Sequence, residues 1–351
     1  MQFKTEYDKS DLENMAALGE NNYTKQNDIA NMPFLEWQCF DNPAGRARVA
    51  VATDEDSGEI VGEITQMPMK FRYFGKEIVA SCLVNSLIKK EYRKISLFYQ
   101  LQVESFDSYK DNAFAFAVPN PFSYPLFSRL FFCKTVAQLP LLLLPVHPKA
   151  LVQAKISQGF AKIIPNISYK GVPCHISQKI AVSLLSADEI TVFDAFWEKV
   201  KDKYPIMGVR TSDYMTWRYI DIPTRDYSIF VAKNGADIEG YCIVRRDELQ
   251  GIRTGFLMDF LVLPGHKEAA MALLRHSIAY LNENGVDLIG TLMLPHCEEY
   301  RYLKRYGFLN CPEKFLPQPF PLIIKRNEIS EDGRLDEDGN WYLTMGDYDA
   351  V

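Results

Sequence analysis

The chain has 351 residues, of which 47% are hydrophobic, 24% charged and 13% aromatic, a composition typical of globular proteins rather than disordered ones. Because hydrophobic cores stop growing near about 250 to 300 residues, this length predicts two domains. The formal net charge of -6 gives no reason to expect a nucleic-acid partner, since nucleic-acid-binding proteins usually carry a basic footprint.

The seven cysteines are scattered and are never spaced as Cys-x-x-Cys, which is untypical of a disulfide framework or a zinc site. The N-terminus lacks the basic segment and apolar run of a secretory signal. These features predict reduced thiols and a cytoplasmic protein. The purely apolar run at 139–146 is far shorter than the ~20 residues that a membrane span needs, so it predicts a buried strand or an interface.

In chain order, the first half opens with a predicted helix around Leu12, where apolar residues follow a helical period. Alternating apolar residues and Gly-bearing polar turns then predict antiparallel strands. A helix follows from Ser96, a plausible N-cap. The predicted elements after Leu12 are strands at 49–53, 60–66 and 81–88, a helix from 96, a strand at 113–118, a short helix at 124–129 and a final strand at 135–144.

The second half predicts the same order of elements. Its strands lie at 229–233, 238–244 and 256–263, and a helix at 267–284, a strand at 288–294 and a helix at 298–306 follow. The run Trp341-Tyr342-Leu343 predicts that the acidic C-terminal tail docks on the body, because a solvated tail has little use for such a cluster. The predicted domains are 1–147 and 184–328, with a connector at 148–183 and the tail at 329–351.

The sequence contains an internal repeat, which defines fold organisation before any motif does. The pattern aromatic-x-x-Trp-x-x-x-Asp-x-Pro occurs around Trp37 and again around Trp217. A second pair of segments matches without a gap around Pro119 and Pro295. The shared order of elements between these anchors predicts a duplication.

The order of elements in each copy resembles the GNAT superfamily of acyl-CoA N-acyltransferases, over about 1–145 and again over about 185–326. The resemblance implies a mixed α/β (α+β) fold of two tandem GNAT-like domains, each a mixed, mostly antiparallel sheet with flanking helices. It implies acetyl-CoA or another acyl-CoA as co-substrate, a small-molecule or peptide amine as acceptor, and no metal.

In that family the fourth strand ends in an Arg/Gln-x-x-Gly-x-Gly/Ala loop, whose backbone amides hold the pyrophosphate at a helix N-terminus. Here Arg93 fits the pattern, whereas Ser96 and Phe98 replace the glycines, and a side chain there is expected to crowd the phosphates. The resemblance implies cofactor contacts at Leu87, Arg93, Lys94, Ile95, Ser96 and Leu97. Lys89 and Lys90 add positive charge, and a solvated basic turn with no ligand is the alternative.

The family's short helix after the fifth strand often carries a Tyr that protonates the departing CoA thiolate. Phe127 stands at that position here, and Tyr124 lies about one helical turn earlier, where a structural role is the alternative. The resemblance also makes Asn85 and Asn120 candidate catalytic residues, since they flank the slot between the fourth and fifth strands.

No carboxylate or histidine lies at an obvious position for the general base. Glu63, Glu91 or a water held by Asn85 are the candidates. In the second copy Asp259 takes the position of Asn85 and Leu303 that of the tyrosine, and the Arg-x-x-Gly pattern is absent, so we expect a non-catalytic partner. The five histidines are too dispersed for a metal-ligand set.

The leading hypothesis is therefore an acyl-CoA-dependent N-acyltransferase that acts on an amine in a cleft between the two domains. A catalytically degenerate binding or scaffolding protein is the first alternative. Tandem GNAT-like enzymes that use aminoacyl-tRNA to build cell-wall peptides share the duplicated plan and are the second, although the acidic charge disfavours it. The acceptor, the acyl group and the oligomeric state have no signature in the sequence.

Overall fold

The computed structural model describes residues 1–23, 27–149, 169, 171–173, 176–249, 251–327 and 333–348. Most of the predicted connector at 148–183, and both ends of the predicted tail, lie outside these residues. The chain divides into two compact units, and neither is continuous in sequence. Unit 1 consists of Met1–Ala137, Asp221–Thr224 and Pro321–Asp338, and unit 2 consists of Gln138–Ile220, Arg225–Phe320 and Gly339–Val351.

The predicted strands and helices occur in the predicted order, apart from the final strand of the first half, and further elements lie between them. The strands are β1 (Gln2–Lys4), β2 (Arg48–Thr53), β3 (Ile60–Tyr73), β4 (Lys76–Ile88), β5 (Phe114–Ala117), β6 (Lys134–Gln138), β7 (Leu141–Pro145), β8 (Ile180–Leu184), β9 (Ile206–Gly208), β10 (Ser228–Asn234), β11 (Asp237–Leu249), β12 (Ile252–Val262), β13 (Leu288–Leu292), β14 (Leu309–Asn310), β15 (Pro321–Arg326) and β16 (Trp341–Tyr342). The α-helices are α1 (Leu12–Asn22), α2 (Met32–Cys39), α3 (Ile95–Ser108), α4 (Tyr124–Leu130), α5 (Val192–Val200), α6 (Ser212–Tyr219), α7 (Lys267–Glu283) and α8 (Glu298–Tyr306). No helix among the described residues is long and apolar enough to cross a membrane.

Each unit is built on a mixed, mostly antiparallel sheet. In unit 1 the strand order is β1-β2-β3-β4-β5-β15-β6, and the pair β4–β5 is parallel. In unit 2 the order is β14-β7-β13-β12-β11-β10-β8, and the pair β12–β13 is parallel. These two parallel pairs join matching strands in the two units, which confirms the predicted tandem fold.

The anchors of the sequence repeat form the same element in both units. Trp37 lies on α2 and Trp217 on α6, and both indoles are buried. Each packs on the aromatic residue one turn earlier, with ring centroids 5.1 Å apart for Phe34–Trp37 and 6.0 Å apart for Tyr214–Trp217. The repeat therefore preserves a packing unit.

The last strand of each copy is exchanged between the units. The predicted single strand at 135–144 is wrong, because the chain breaks at Pro140, which lacks the N–H that a ladder needs. The part before the break, β6, stays in unit 1, whereas β7 pairs with β13 in unit 2. In return β15, from the second half of the chain, pairs with β5 in unit 1.

Helices cover both faces of the unit 1 sheet. On one face, which we call the α1–α2 face, Met15 of α1 and Leu35 of α2 belong to the same buried cluster as Leu87 of β4. On the other, the α3–α4 face, Leu101 of α3 and Phe127 of α4 belong to a second cluster. The sheet is therefore enclosed between two apolar layers, and a polar group on it needs an explanation.

Candidate functional site

The site in unit 1 begins where two parallel strands separate. The pairing of β4 with β5 ends at Cys82 and Phe116, although β4 continues to Ile88. The two strands therefore stop pairing before β4 ends, and we call the place beside β4 where β5 no longer pairs with it the unit 1 slot. Crevices at the carboxyl ends of separating strands are common ligand sites in α/β folds.

A β-bulge in β4 lies beside this slot. Glu63 of β3 pairs with Leu87, but Thr65 pairs with Val84, so the register shifts between them. Within the bulge Asn85 has a φ of 47°, a left-handed conformation that Asn adopts more readily than most residues. Bulges bend strands and re-aim side chains, and they are frequent next to active sites.

The bulge turns Asn85 toward the α1–α2 face. Its side-chain amide donates a hydrogen bond to the side-chain amide oxygen (Oε1) of Gln38 on α2, and Gln38 is itself buried. This hydrogen bond ties Asn85, in the part of β4 beyond the β5 pairing, to α2, and its catalytic role stays a prediction.

The N-terminus of α3 follows directly from the loop after β4. Lys94 is its N-cap in extended conformation, and no side chain caps the helix. The first bond of the helix runs from the amide of Phe98 to the carbonyl of Lys94, so the amides of Ile95, Ser96 and Leu97 precede it. Amides in this position carry the positive end of the helix dipole and favour anions.

The side chains at this N-terminus separate into exposed and buried sets. Ile95 is 66% exposed and Ser96 is also exposed, whereas Leu97 belongs to the core cluster of the α3–α4 face. Phe98 points into that core as well, with ring centroids 5.8 Å from Phe127 and 6.0 Å from Phe131. The expectation that Phe98 crowds the phosphates is therefore wrong, because its ring lies on the core side of the helix.

The basic residues of the loop are held by other parts of unit 1. Arg93 donates to the carbonyl of Ile88 at 3.2 Å and to the side chain of Asn22, at the end of α1, at 2.8 Å. Lys89 forms an ion pair with Glu59 at 2.8 Å. Exposed pairs of this kind contribute little stability, so these contacts can be exchanged for an anionic ligand at small cost.

Asn120 and Tyr124 have local structural partners. The Asn120 side chain accepts from the amides of Phe122 and Ser123 at 2.9 and 3.0 Å, which turns the chain into α4. The Tyr124 hydroxyl lies 2.9 Å from the hydroxyl of Thr135 on β6. Each contact gives a structural reason for the residue, and the catalytic role of both stays a prediction.

Leu87 is buried in the cluster of the α1–α2 face. Its side chain points away from solvent, so a contact with a cofactor at this residue would come from its backbone. Its backbone pairs with Glu63 of β3, and a contact with a cofactor at this residue stays a prediction.

Glu63 is the most unusual ionisable residue in unit 1. Its side chain is fully buried, and neither carboxylate oxygen has a hydrogen-bond partner among the described residues. Burial raises the pKa of Glu63 to about 8, because an apolar surrounding disfavours the charged form. Glu63 is one of the candidate bases that the sequence analysis gives. The sequence feature that distinguishes it from the others is its place inside the apolar run Ile60-Val-Gly-Glu-Ile.

The corresponding position in unit 2 is closed by a buried ion cluster. Arg210 donates to Asp259 at 3.0 Å and to Asp347 at 2.8 Å, and all three side chains are inaccessible to solvent. The hydroxyl of Tyr241 donates to Asp259 at 3.0 Å. Asp259, which matches Asn85, is therefore committed to structure.

The C-terminal segment 341–348 fills the slot of unit 2. All of its residues are buried, and β16 pairs in parallel with β9. The Tyr342 hydroxyl donates to the carbonyl of Phe260 at 2.5 Å, in the part of β12 beyond its pairing with β13. The His296 ring lies 2.8 Å from the carbonyl of Trp341. These contacts join residues beyond the paired parts of β12 and β13, and the non-catalytic role of the second copy stays a prediction.

A cavity of about 760 Å³ opens at the N-terminus of α7, the unit 2 counterpart of the α3 N-terminus. Lys179, Lys267 and Arg305 line it, together with Glu239 and Glu268. The mixture of charges lacks the basic excess of the loop before α3. Among the described residues, no group of three or more His, Cys, Asp or Glu side chains is placed to hold a metal ion.

Comparison with solved structures finds the same architecture in N-acyltransferases. The Saccharomyces cerevisiae N-myristoyltransferase with bound myristoyl-CoA matches with a TM-score of 0.61 at 11% identity, over 92% of this chain and 82% of that one. A GCN5-related N-acetyltransferase from Anabaena variabilis matches with a TM-score of 0.64 at 10% identity, over 93% and 74%. A protein of unknown function from Enterococcus faecalis, described as a probable N-acyltransferase, matches with a TM-score of 0.58 at 11% identity, over 94% and 74%.

No protein-family model matches the chain, and no curated protein matches it in sequence. At identities this low the structural likeness establishes the fold. The chain therefore has the GNAT-like N-acyltransferase fold that its sequence pattern predicts.

Proposed function

We propose that this protein is an acyl-CoA-dependent N-acyltransferase whose active site lies in unit 1. The observation that carries the proposal is the combination of the unit 1 slot, the bulge beside it and the uncapped N-terminus of α3 at its mouth. The structural neighbours support it, since one of them is described with bound myristoyl-CoA. Acetyl-CoA is the simplest co-substrate of this class, and an amine is the acceptor.

In this proposal the amides of Ile95, Ser96 and Leu97 bind the pyrophosphate, and Arg93 and Lys94 supply positive charge. Arg93 would exchange its contact with Asn22 for the phosphates. The backbone of β4 near Leu87 binds the pantetheine arm, which places the thioester in the unit 1 slot.

Acyl transfer needs a positioned amine, a proton acceptor and a proton for the leaving thiolate. Asn85, turned toward α2 by the bulge, is proposed to orient the amine or a water. Tyr124 is proposed to protonate the thiolate in place of the family's tyrosine, and Asn120 to hold the chain that carries Tyr124. Unit 2 is proposed to act as a structural partner, because its slot is filled by the chain itself.

The test is a calorimetric titration of the purified protein with acetyl-CoA, combined with an assay for thiol release in the presence of primary amines. We expect binding that is lost in Arg93→Glu, because the substitution reverses the charge beside the pyrophosphate. Lys110→Glu is the matched control, since it makes the same charge change just beyond the other end of α3. Absence of heat with the wild-type protein at high micromolar acetyl-CoA would refute the proposal.

A binding protein without catalytic activity is the second candidate. It is favoured by the partners that Arg93, Asn120 and Tyr124 already have within unit 1. Its signature is acetyl-CoA binding without thiol release for any amine.

A further inference from the structure

The position of Glu63 relates it to the slot rather than to the core. It lies on β3 directly opposite Leu87, in the part of β4 that has separated from β5. Neighbouring strands are about 4.8 Å apart, so its carboxyl group is one strand away from the slot. The half-buried Asn85, two residues earlier on β4, lies between the bulge and α2.

The duplicated fold offers an internal comparison for this position. Glu63 pairs with Leu87 as Tyr241 pairs with Leu261 in unit 2. The register shifts directly after Glu63 in unit 1 and after Ile243, two residues beyond Tyr241, in unit 2. In unit 2 the buried Tyr241 hydroxyl has a partner, the carboxylate of Asp259. In unit 1 the buried polar group is a carboxylate without a hydrogen-bond partner among the described residues. The two units therefore place different polar groups at corresponding strand positions.

In the part of the chain that the structure describes, no cation lowers the pKa of Glu63, and burial is the cause of its shift. Among the described residues, the titratable group coupled to it is the thiol of Cys39 on α2, whose own pKa is raised by burial and by the Glu63 charge. The sheet neighbours are Val51 on β2 and Leu87 on β4, both apolar. Thr65, two residues along the same face of β3, also has a buried hydroxyl oxygen without a hydrogen-bond partner.

A purely structural role explains this arrangement poorly. Burying a carboxyl group without hydrogen bonds costs stability, and a leucine would fill a similar volume at lower cost. Proteins retain such groups mainly where function requires them, and an unpaired carboxyl group beside a ligand slot is typical of a catalytic acid or base.

We propose that Glu63 accepts the proton of the attacking amine in unit 1, an inference that rests on the proposed acyltransferase function. The amine nitrogen attacks the thioester carbonyl carbon, the C–N bond forms, and one N–H proton passes to the Glu63 carboxylate, directly or through one water. The C–S bond then breaks, and coenzyme A leaves as a thiolate that takes the proton of the Tyr124 hydroxyl, which is then reprotonated from solvent. Glu63 releases its proton to solvent and is regenerated.

The experiment compares the wild-type protein with Glu63→Gln, which keeps the shape of the side chain and removes the carboxylate. Acetyl-CoA binding is measured by calorimetry, and thiol release is followed with tyramine, spermidine and a peptide with a free N-terminal amine. Glu77→Gln is the matched control, because it makes the same change at an exposed glutamate of the β3–β4 hairpin. Glu63→Asp tests whether a shorter carboxylate restores part of the rate.

We expect Glu63→Gln to bind acetyl-CoA like the wild type and to lose at least about 100-fold in kcat, with KM for acetyl-CoA unchanged. The wild-type rate should rise with pH up to the ionisation of Glu63, and this rise should be absent in Glu63→Gln and present in Glu63→Asp. A Glu63→Gln protein with the wild-type kcat and pH profile would overturn the inference.

Failure of the proposed function looks different. In that case the wild-type protein itself binds no acetyl-CoA or releases no thiol with any of the three amines, and the inference falls with the function. Thermal unfolding separates a folding defect from a loss of catalysis. Glu63→Gln removes an ionisable group from an apolar site, so it should unfold at the wild-type temperature or above it, and a lower temperature would indicate a folding defect.

Discussion

Glu63 and Tyr241 occupy matching positions on β3 and β11, but they differ in how their polar atoms are satisfied. Tyr241 donates to a buried carboxylate that Arg210 also holds. Glu63 has no such partner among the described residues. At the residue scale the two units therefore differ. In unit 2 the buried polar group is hydrogen-bonded, whereas in unit 1 a buried carboxyl group has no hydrogen-bond partner among the described residues.

This difference makes the stability of unit 1 depend on pH through Glu63. Burial raises the pKa of this carboxyl group to about 8 in the folded protein. At low pH it is neutral in both the folded and the unfolded chain. As the pH rises above its ordinary pKa, it ionises in the unfolded chain first, so the free energy of unfolding falls until the folded carboxyl group ionises as well.

We therefore predict that the wild type loses stability relative to Glu63→Gln between about pH 5 and about pH 8. The loss should be of the order of a few kcal/mol, since a tenfold change in proton affinity corresponds to about 1.4 kcal/mol. Urea unfolding at several pH values measures it, and Glu77→Gln should track the wild type. A stability difference between wild type and Glu63→Gln that is constant over this range would contradict the prediction.

At the scale of the element, the N-terminus of α3 is the part of unit 1 with the clearest ligand geometry. Its N-cap Lys94 is extended, with φ -135° and ψ 145°, and makes no side-chain cap. That conformation is one that a residue before proline also prefers, and proline is well tolerated in the first turn of a helix. A single amide can therefore be deleted there without breaking the helix.

We predict that Ile95→Pro weakens acetyl-CoA binding several-fold and leaves the thermal unfolding temperature nearly unchanged. The substitution removes one N–H donor from the proposed pyrophosphate site, and the side chain it replaces is 66% exposed. Ile95→Ala is the control, because it removes the same side chain and keeps the N–H. Equal affinities of the two variants in calorimetry would mean that this amide does not contact the ligand.

Most elements were predictable because their signals are local. The helical period around Leu12, the Gly-bearing turns and the start of α3 near Ser96 all follow from neighbouring residues. The inward direction of the Phe98 ring was not predicted. The family pattern defines position 98 as a glycine of the loop, whereas the helical spacing of Phe98 and Leu101 puts both on the core side of α3. The sequence also could not predict that Glu63 lacks a hydrogen-bond partner among the described residues. This depends on the side chains that four separate elements place on the α1–α2 face.

At the scale of the whole molecule, the repeat gave the two-fold plan, and the exchange of last strands could not be predicted. The apolar pattern of β7 fits any buried strand, and nothing in it distinguishes pairing with β5 from pairing with β13. The same holds for β15. Each unit is completed by a strand from the other half of the chain. The pattern of apolar residues therefore does not predict which strands pair when they are far apart in sequence.

The two units also differ in whether a segment of the chain occupies the slot. In unit 2 the segment 341–348 crosses the slot and contributes Asp347 to the cluster with Arg210 and Asp259. In unit 1 the slot ends at an exposed, uncapped helix N-terminus. Under the proposed function, this difference predicts one acyl-CoA site per chain.

A crystal structure of the protein with bound acetyl-CoA most directly tests the assignment of the acyl-CoA site to unit 1. We predict one ligand per chain, with its pyrophosphate within hydrogen-bonding distance of the amides of Ile95 and Ser96 and its pantetheine arm along β4 beside Leu87. Acetyl-CoA seated at the N-terminus of α7 in unit 2, with the α3 N-terminus empty, would contradict the assignment of the active site to unit 1.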